Sequence, residues 1–495
     1  MPAWIGHATL ALAAAPTSPE RVWAIGDLHG DAGCAQHWVH RTGLVQGNLS
    51  NPAEWIWSEP NSQLIFMGDY IDRGPDARAV LTFVNSLLER FPEHVHALLG
   101  NHELNLLIDR ARPPGGGRYL EYAYAAAHPA QYSAWLDEPE DPAERAEVLR
   151  LLHNALLVVY QKRLYDPSSG VLMTPDGKRS IVQFVQPPSE RSRVAETLRR
   201  WQAAYMRGVT TRSHLGSFVH RPLSTFLADT VGRHQHQRLR AVARWAHALR
   251  PQGGRFAGPT PTLVHCLSCC PQVFVHGGLA ESLLGMQMPA TGAHSARPLD
   301  SLAALEELNV RWLNASARTD LHAGPSGETV AQAEAAEAYA LASSPLVELA
   351  TEIVEYRGLH DSYAARYRDE HLRRGTSAGQ VACDRVAAVL QKLNASRIAV
   401  GHTPEDNVRI RCGGRLLALD STLSRSFRAH GNFYCNAESE RADPHICPPR
   451  RDVCEGQIVR LERSGPQAPW LLHIVESDMD AEREVGAVED MKVEL

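Results

Sequence analysis

Five short glycine-flanked blocks carry the residues of this chain best suited to chemistry. They are Gly26-Asp27-Leu28-His29-Gly30, Gly68-Asp69-Tyr70-Ile71-Asp72-Arg73-Gly74, Gly100-Asn101-His102-Glu103, His276-Gly277-Gly278 and Gly401-His402-Thr403. Carboxylates, amide oxygens and imidazoles are donors for Mn, Fe or Zn, and none of the blocks contains a cysteine, so a hard or borderline metal is expected. Arg73 adds a planar fork that matches two oxygens of an oxyanion, which a lysine at that place would not reproduce. A single Asp-x-His or Gly-His-Thr is more often structural. Five such blocks in one order specify a site.

Each block directly follows a short apolar, β-rich run, at residues 22–25, 64–67, 95–99, 273–275 and 398–400. These runs are predicted to be buried strands. In layered sheet folds, ligand sites gather beyond the carboxyl ends of strands, where all five polar groups would then lie. The flanking glycines let the chain turn sharply beside an ion or an oxyanion.

With these blocks in place, the sequence resembles the calcineurin-like metallophosphoesterases, and within them the phosphoprotein phosphatase type, with its GDxHG, GDxxDRG, GNHE and HGG blocks. Glu355-Tyr356-Arg357-Gly358 and the late Gly-His-Thr look like the bacterial-like branch, that of Shewanella-like phosphatases and relatives similar to diadenosine tetraphosphate hydrolase. The resemblance implies an α/β fold: a two-sheet sandwich flanked by helices, here with a large helical insertion. It implies two divalent or trivalent metal ions, Mn, Fe or Zn, the first bound by Asp27 and His29, with Asp69 bridging both. Asn101, His276 and His402 would complete the second site, with Asn101 also near the substrate phosphate. His102 would be the proton donor, steadied by Asp72, and Arg73 would hold the phosphate. Arg357 is the candidate for a second phosphate-binding arginine, against the alternative of a surface salt-bridge partner. One departure is plain: Leu419-Asp420-Ser421-Thr422-Leu423 stands where eukaryotic relatives carry Ser-Ala-Pro-Asn-Tyr.

The residue types suit hydrolysis of a phosphoester. A phosphate ester repels hydroxide, so its oxygens must be neutralised and a nucleophile generated near neutral pH, and two metal ions do both. The leaving alkoxide of a serine or threonine is strongly basic and needs a proton, the task assigned to His102. None of the nine cysteines stands in any of the five blocks, so the blocks offer no thiolate nucleophile. The expected function is a protein Ser/Thr phosphatase. The alternatives are hydrolysis of a dinucleoside polyphosphate or other small phosphoester, and an inactive scaffold that binds acidic partners.

The remaining sequence sets bounds. A chain of 495 residues with net charge −6 and 44% hydrophobic residues has no bulk attraction for nucleic acid, and no apolar run reaches the ~20 residues of a membrane span. We expect an N-terminal extension over 1–20, a catalytic domain over 21–475 and an acidic, disordered tail over 476–495. A basic insertion is expected at about 160–262. Between Arg191 and Arg255 stand thirteen Arg and no Lys against two acids, a docking surface for an acidic partner or a solvated face paired with nearby acids. Residues 112–118 read as a loop near the site mouth and 329–341 as a surface helix. Asn48-Leu-Ser, Asn314-Ala-Ser and Asn394-Ala-Ser match the glycosylation pattern. Cys435, Cys447 and Cys454 are disulfide-bonded in an exported protein or thiols in a reducing cell, and Cys266, Cys269 and Cys270 are expected as buried thiols. An intracellular location, in the cytosol or an organelle, is slightly favoured over a secreted one.

Overall fold

A computed structural model describes residues 19–109, 272–290, 295–318, 344–360, 378–430, 449–465 and 468–477, with short stretches at 134–135, 141–143, 146, 165–166, 171–172, 224–227 and 482–487. The first half of the domain alternates strand and helix: β1 (Glu20–Ile25), α1 (Ala32–Arg41), β2 (Ser62–Phe66), α2 (Ala77–Arg90), β3 (Val95–Ala97) and α3 (Asn101–Asp109). Next come β4 (Ser224–Leu227) and β5 (Gln272–Val275), then three helices, α4 (Leu302–Arg318), α5 (Pro345–Glu355) and α6 (Ala378–Leu393). The chain closes with β6 (Arg397–Val400), β7 (Arg409–Arg411), β8 (Leu416–Ala418), α7 (Arg425–His430), β9 (Gln457–Arg463), β10 (Leu471–Glu476) and β11 (Glu482–Ala487).

The strands form two mixed sheets, one in the order β11-β10-β9-β1-β2-β3 and the other β7-β8-β6-β5-β4. Within the first, β1, β2 and β3 run parallel, and within the second, β5, β6 and β8 do. Their carboxyl ends carry the polar blocks. Alternation along the strands builds the sandwich, because side chains two apart share a face. Val22, Ala24, Ile65, Met67 and Leu98 of one sheet pack with Phe274, Ala399, Leu417 and Leu419 of the other, while Trp23, Ile25, Leu64, Phe66, Val273, Val275, Ile398 and Val400 face the helices. Complete burial of one such aliphatic side chain is worth about 1.5–3 kcal/mol.

Local signals explain the helices. Asp31 caps α1 by accepting from Cys34 N at 3.1 Å, and α2 buries Val80, Leu81, Val84 and Leu87 along one stripe. Ser344 caps α5, whose first residue is Pro345, where the missing N–H has no intrahelical partner to lose.

The expected two-sheet α/β sandwich with flanking helices is therefore the fold. Two strands arise where composition concealed them. Ser224–Leu227, inside the stretch expected as a basic insertion, pairs antiparallel with β5 and so belongs to the second sheet. Glu482–Ala487 corrects the expectation of a disordered tail: it pairs with β10 as the outer strand of the first sheet, a position where charged residues are tolerated. The loop at 112–118, the helix at 329–341, the rest of the basic stretch, and Cys266, Cys269, Cys270, Cys435 and Cys447 lie outside the described residues. No helix among the described residues is long and apolar enough to cross a membrane.

Candidate active site

The loops beyond β1, β2, β3, β5, β6 and β8 converge on Asp69, which is buried. His29 Nε2 lies 3.8 Å from Asp69 Oδ2, His102 Nε2 also 3.8 Å from it, and His276 Nε2 3.2 Å from Oδ1. Asp27 joins the cluster, with Oδ1 3.9 Å from His276 Nδ1 and both oxygens accepting from His402 N at 3.0 and 3.3 Å. Two trios have donor atoms within 4.8 Å of one another: His29, Asp69 and His102, and Asp69, His276 and His402. This convergence demands unusual backbone. Of the eight non-glycine residues with positive φ among the described residues, five are His29, Asp69, Asp72, Arg73 and His402. Each costs on the order of 1–3 kcal/mol, strain that collects at functional sites. Gly100 is required by proximity, because a Cβ there would stand 2.2 Å from Asp69 N and Oδ1.

The hydrogen-bond partners of the rings determine what each can do. A carbonyl accepts only, so His29 Nδ1 donates to Ile71 O at 3.1 Å and His276 Nδ1 to Met67 O at 2.8 Å. Each Nε2 is then a lone pair aimed at Asp69. One amide atom of Asn101 lies 3.0 and 3.3 Å from the Asp69 oxygens, 3.1 Å from His276 Nε2 and 2.8 Å from His402 Nδ1. These neighbours are all acceptors. Lone pairs packed this closely repel unless an N–H or a cation lies among them, so the donor set fits a metal ion. Burial pushes His29 and His402 well below the ordinary histidine range, and Arg357 and His276 add to the effect on His402. Neutral imidazole is the ligating form.

His102 differs. Its Nδ1 lies 2.5 Å from Asp72 Oδ2, and although burial pushes its pKa down, Asp69 and Asp72 outweigh burial and hold it above the ordinary value. Asp69 shows the reciprocal effect: burial raises it, but His276, His102 and His29 together bring it well below the usual carboxylate range.

Arg73 follows Asp72, and its guanidinium carbon is 4.2 Å from the centroid of the Phe427 ring. Arg357 lies two residues beyond the end of α5. That helix docks against the His276-Gly-Gly turn: Gly278 N donates to Ile353 O at 2.9 Å, and a Cβ on Gly277 would fall 2.6 Å from the Val354 carbonyl. Arg357 Nη1 donates to His402 O at 2.8 Å and to Thr403 Oγ1 at 3.3 Å, which puts it beside the cluster.

Three residues of the site were given no role by their sequence pattern. Glu103 is wholly buried and accepts from the backbone N–H of Asp69 (3.1 Å), Tyr70 (2.8 Å), Ile71 (3.2 Å) and Gly100 (3.1 Å), clamping the loop that carries Asp69 and Asp72. Burial and the nearby Asp69 raise its carboxyl to about 7. Asp420, beyond β8, shares a hydrogen bond with Asp27, and burial, Asp420 and Asp69 together raise Asp27 well above the carboxylate range. Phe427, on α7, meets His29 edge-to-face with ring centroids 4.9 Å apart. The available signals were Glu103 within the third block and Asp420 one residue beyond a strand-like run. Nothing local marked Phe427.

Part of the chain is similar to known proteins. Residues 20–194 match the family model for calcineurin-like phosphoesterases. An uncharacterized protein of Schizosaccharomyces pombe is 31% identical over 160 residues, 31% of this chain and 42% of that protein. A symmetrical bis(5'-nucleosyl)-tetraphosphatase of Wigglesworthia glossinidia brevipalpis is 35% identical over 86 residues, 17% of this chain and 25% of its own length. Shewanella-like protein phosphatase 2 of Arabidopsis thaliana is 32% identical over 89 residues, 17% of this chain and 21% of that one. The matches thus span less than half the length of each of these relatives. The matched segment contains the first three ligand loops, and over it the chain is similar to the calcineurin-like phosphoesterases.

Proposed function

We propose that the chain is a metal-dependent phosphoester hydrolase and that its substrates are phosphomonoesters of basic alcohols, phosphoserine and phosphothreonine in proteins foremost. The observation that carries this reading is the His102–Asp72 pair beside Asp69, a proton donor kept charged within a cluster of lone-pair donors. Asp27, His29 and Asp69 would hold one metal ion, and Asp69, Asn101, His276 and His402 the other. When bound, Mn, Fe or Zn ions supply Lewis acidity toward the phosphate and a water of lowered pKa.

The chain's own groups do the rest. Arg73 and Arg357 bind phosphate oxygens and set the ester's orientation, drawing on the planar fork of each guanidinium. His102 Nε2 gives its proton to the departing oxygen, and Asp72 at Nδ1 keeps the ring turned and charged for that transfer. Glu103 holds the loop that presents both Asp69 and Asp72.

A second reading is hydrolysis of dinucleoside polyphosphates, which the similarity to the tetraphosphatase supports. Leaving-group chemistry separates the two. A serine alkoxide needs a proton as the bond breaks, whereas a nucleotide phosphate leaves readily without one. A Mn-supplemented assay comparing phosphoserine and phosphothreonine peptides with diadenosine tetraphosphate tests this, with His102→Ala in parallel. Preferred turnover of the peptides, and a larger loss on them in the variant, is expected. Preference for the dinucleotide favours the second reading, and no bound ion with no turnover of either substrate would leave the scaffold.

A further inference from the structure

Two disulfides among the described residues, and three Asn-x-Ser triplets, have no role in the proposed reaction. Cys34 is joined to Cys454 and Cys383 to Cys412, with Cα–Cα distances of 5.4 and 5.1 Å, and Cys34 and Cys412 are buried in the core. Disulfides that tie segments of a folded core belong to proteins that mature in an oxidising environment, where asparagine glycosylation also takes place. We propose that this chain folds in such a compartment and carries N-linked glycans at Asn48 and Asn394, but not at Asn314, against the intracellular location that composition favoured.

The backbone separates the three acceptors. Asn48, Leu49 and Ser50 are all exposed, and Asn48 Oδ1 accepts from Ser50 N at 2.9 Å, which folds the amide toward the serine two residues on. Asn394 and Ser396 are also exposed, in the turn between α6 and β6, where Asn394 takes the left-handed conformation with φ 50°. Asn314 lies within helix α4, where residues i and i+2 do not face each other. Both favoured acceptors lie away from the ligand loops. Asn394 precedes β6 whereas His402 follows it, and α1 runs from Ala32 beside the first block to Arg41, which leads on to Asn48. The donor is an oligosaccharide held on a lipid diphosphate. The asparagine Nδ2 attacks the sugar C1, the new C–N bond forms as the C1–O bond to the diphosphate breaks, the amide proton passes to a base, and the lipid diphosphate leaves.

Mass spectrometry of the unreduced protein from its source cells, before and after peptide-N-glycosidase treatment in heavy-oxygen water, tests this independently of any activity. Labelled aspartate at 48 and 394, asparagine at 314, and cross-linked Cys34–Cys454 and Cys383–Cys412 peptides are expected. Unmodified asparagine at 48 or 394 overturns that position, glycan at 314 overturns the helical exclusion, and free thiols at the four cysteines overturn the compartment. Ser396→Ala, which leaves the strained Asn394 backbone in place, is expected to lose one glycan's mass and nothing else.

A separate observation concerns Phe427, and it rests on the reading of the site given above. We infer that Phe427 is a positioning residue for Arg73. Its ring lies under the guanidinium at 4.2 Å and edge-on to His29, so the planar fork has one face covered. Helix α7 is anchored at its first residue: Asp31 Oδ2 accepts from Arg425 N and Nε, each at 2.9 Å, and Asp31 Oδ1 from Nη2 at 2.7 Å. Arg428 Nε fixes the next turn on Thr422 O at 3.1 Å. Phe427→Leu removes the ring and Phe427→Tyr keeps it. Calorimetric titration of inorganic phosphate into the Mn-loaded protein is expected to show about tenfold weaker binding for the leucine variant, with tyrosine near the parent. Metal content is expected to be unchanged. Parent-like affinity in Phe427→Leu, or weak binding together with lost metal in both variants, overturns the role. This titration reads out even if no phosphoester is turned over, so it fails separately from the proposed reaction.

Discussion

His102 and the three histidines His29, His276 and His402 are all buried around Asp69, yet they differ in what stands behind the ring. His29 and His276 give Nδ1–H to a backbone carbonyl, which fixes the tautomer and contributes no charge. His102 has a carboxylate in that place, and Asp72 with Asp69 overcomes the burial that keeps His29 and His402 neutral. On the proposed reading, the group behind the ring, together with Asp69, separates a histidine that would hold a cation from one that would deliver a proton. A ligand assignment by residue type alone would make His102 one more ligand, and its position among the donor atoms is consistent with that.

The largest expected effect comes from removing the group both sides share. Asp69→Ala takes away the acceptor that three rings face. Metal content by mass spectrometry is expected to fall to near zero, and phosphoester turnover by more than about 10³-fold. Retention of full metal content would show that the histidines bind without it and would break the comparison at its centre. Chelation of the unaltered protein should give the same loss, reversed by Mn.

The acid side comes next. His102→Ala is expected to keep metal and lose about 10²–10⁴-fold in turnover of alkyl phosphates, with a smaller loss on aryl phosphates, whose leaving groups need less help. Asp72→Asn should follow it in direction with a lesser effect, because the ring stays in place without its charged partner. Equal losses on both substrate types would assign His102 to the ligand side. Glu103→Ala leaves four backbone N–H groups without their acceptor, a destabilisation of about 3–5 kcal/mol by denaturant titration, with Glu103→Gln between it and the parent.

The site residues readable from sequence share one property: each stands at the end of a strand, beside a glycine, within a few residues of its block. Asp27, His29, Asp69, Asn101, His102, His276 and His402 were legible for that reason, and the alternation of the strands made the two-sheet sandwich legible as well. Glu103 was not, because its role is to accept backbone N–H groups from a loop more than thirty residues away, and an acceptor of main-chain hydrogens needs no particular neighbours in sequence. Arg357 was ambiguous until α5 docked on the His276 turn and carried it to His402. The Cys34–Cys454 pair spans 420 residues, and no spacing rule reaches so far. β4 and β11 were hidden for a different reason: arginine and acid counts describe a surface, and an edge strand can carry either.

His360 offers the smallest test and the cleanest control, because it is as buried as the ligand histidines but has neither kind of orienting partner. Its Nε2 has no hydrogen-bond partner among the described residues, and burial, with Arg357 and Arg411 nearby, lowers its pKa to about 4. In the unfolded chain the same ring titrates near 6.5. Between these values the unfolded state binds the proton and the folded state does not, so stability falls as the pH drops below about 6.5 and the loss levels off below about 4. The expected difference is about 1 kcal/mol between pH 6.5 and 5.5. Denaturant titrations of the parent and of His360→Leu across that range isolate it, since other groups titrate alike in both. The parent should lose stability relative to the variant on acidification; parallel profiles would mean that the ring takes up its proton in the fold, and that burial alone does not keep a histidine neutral in this protein.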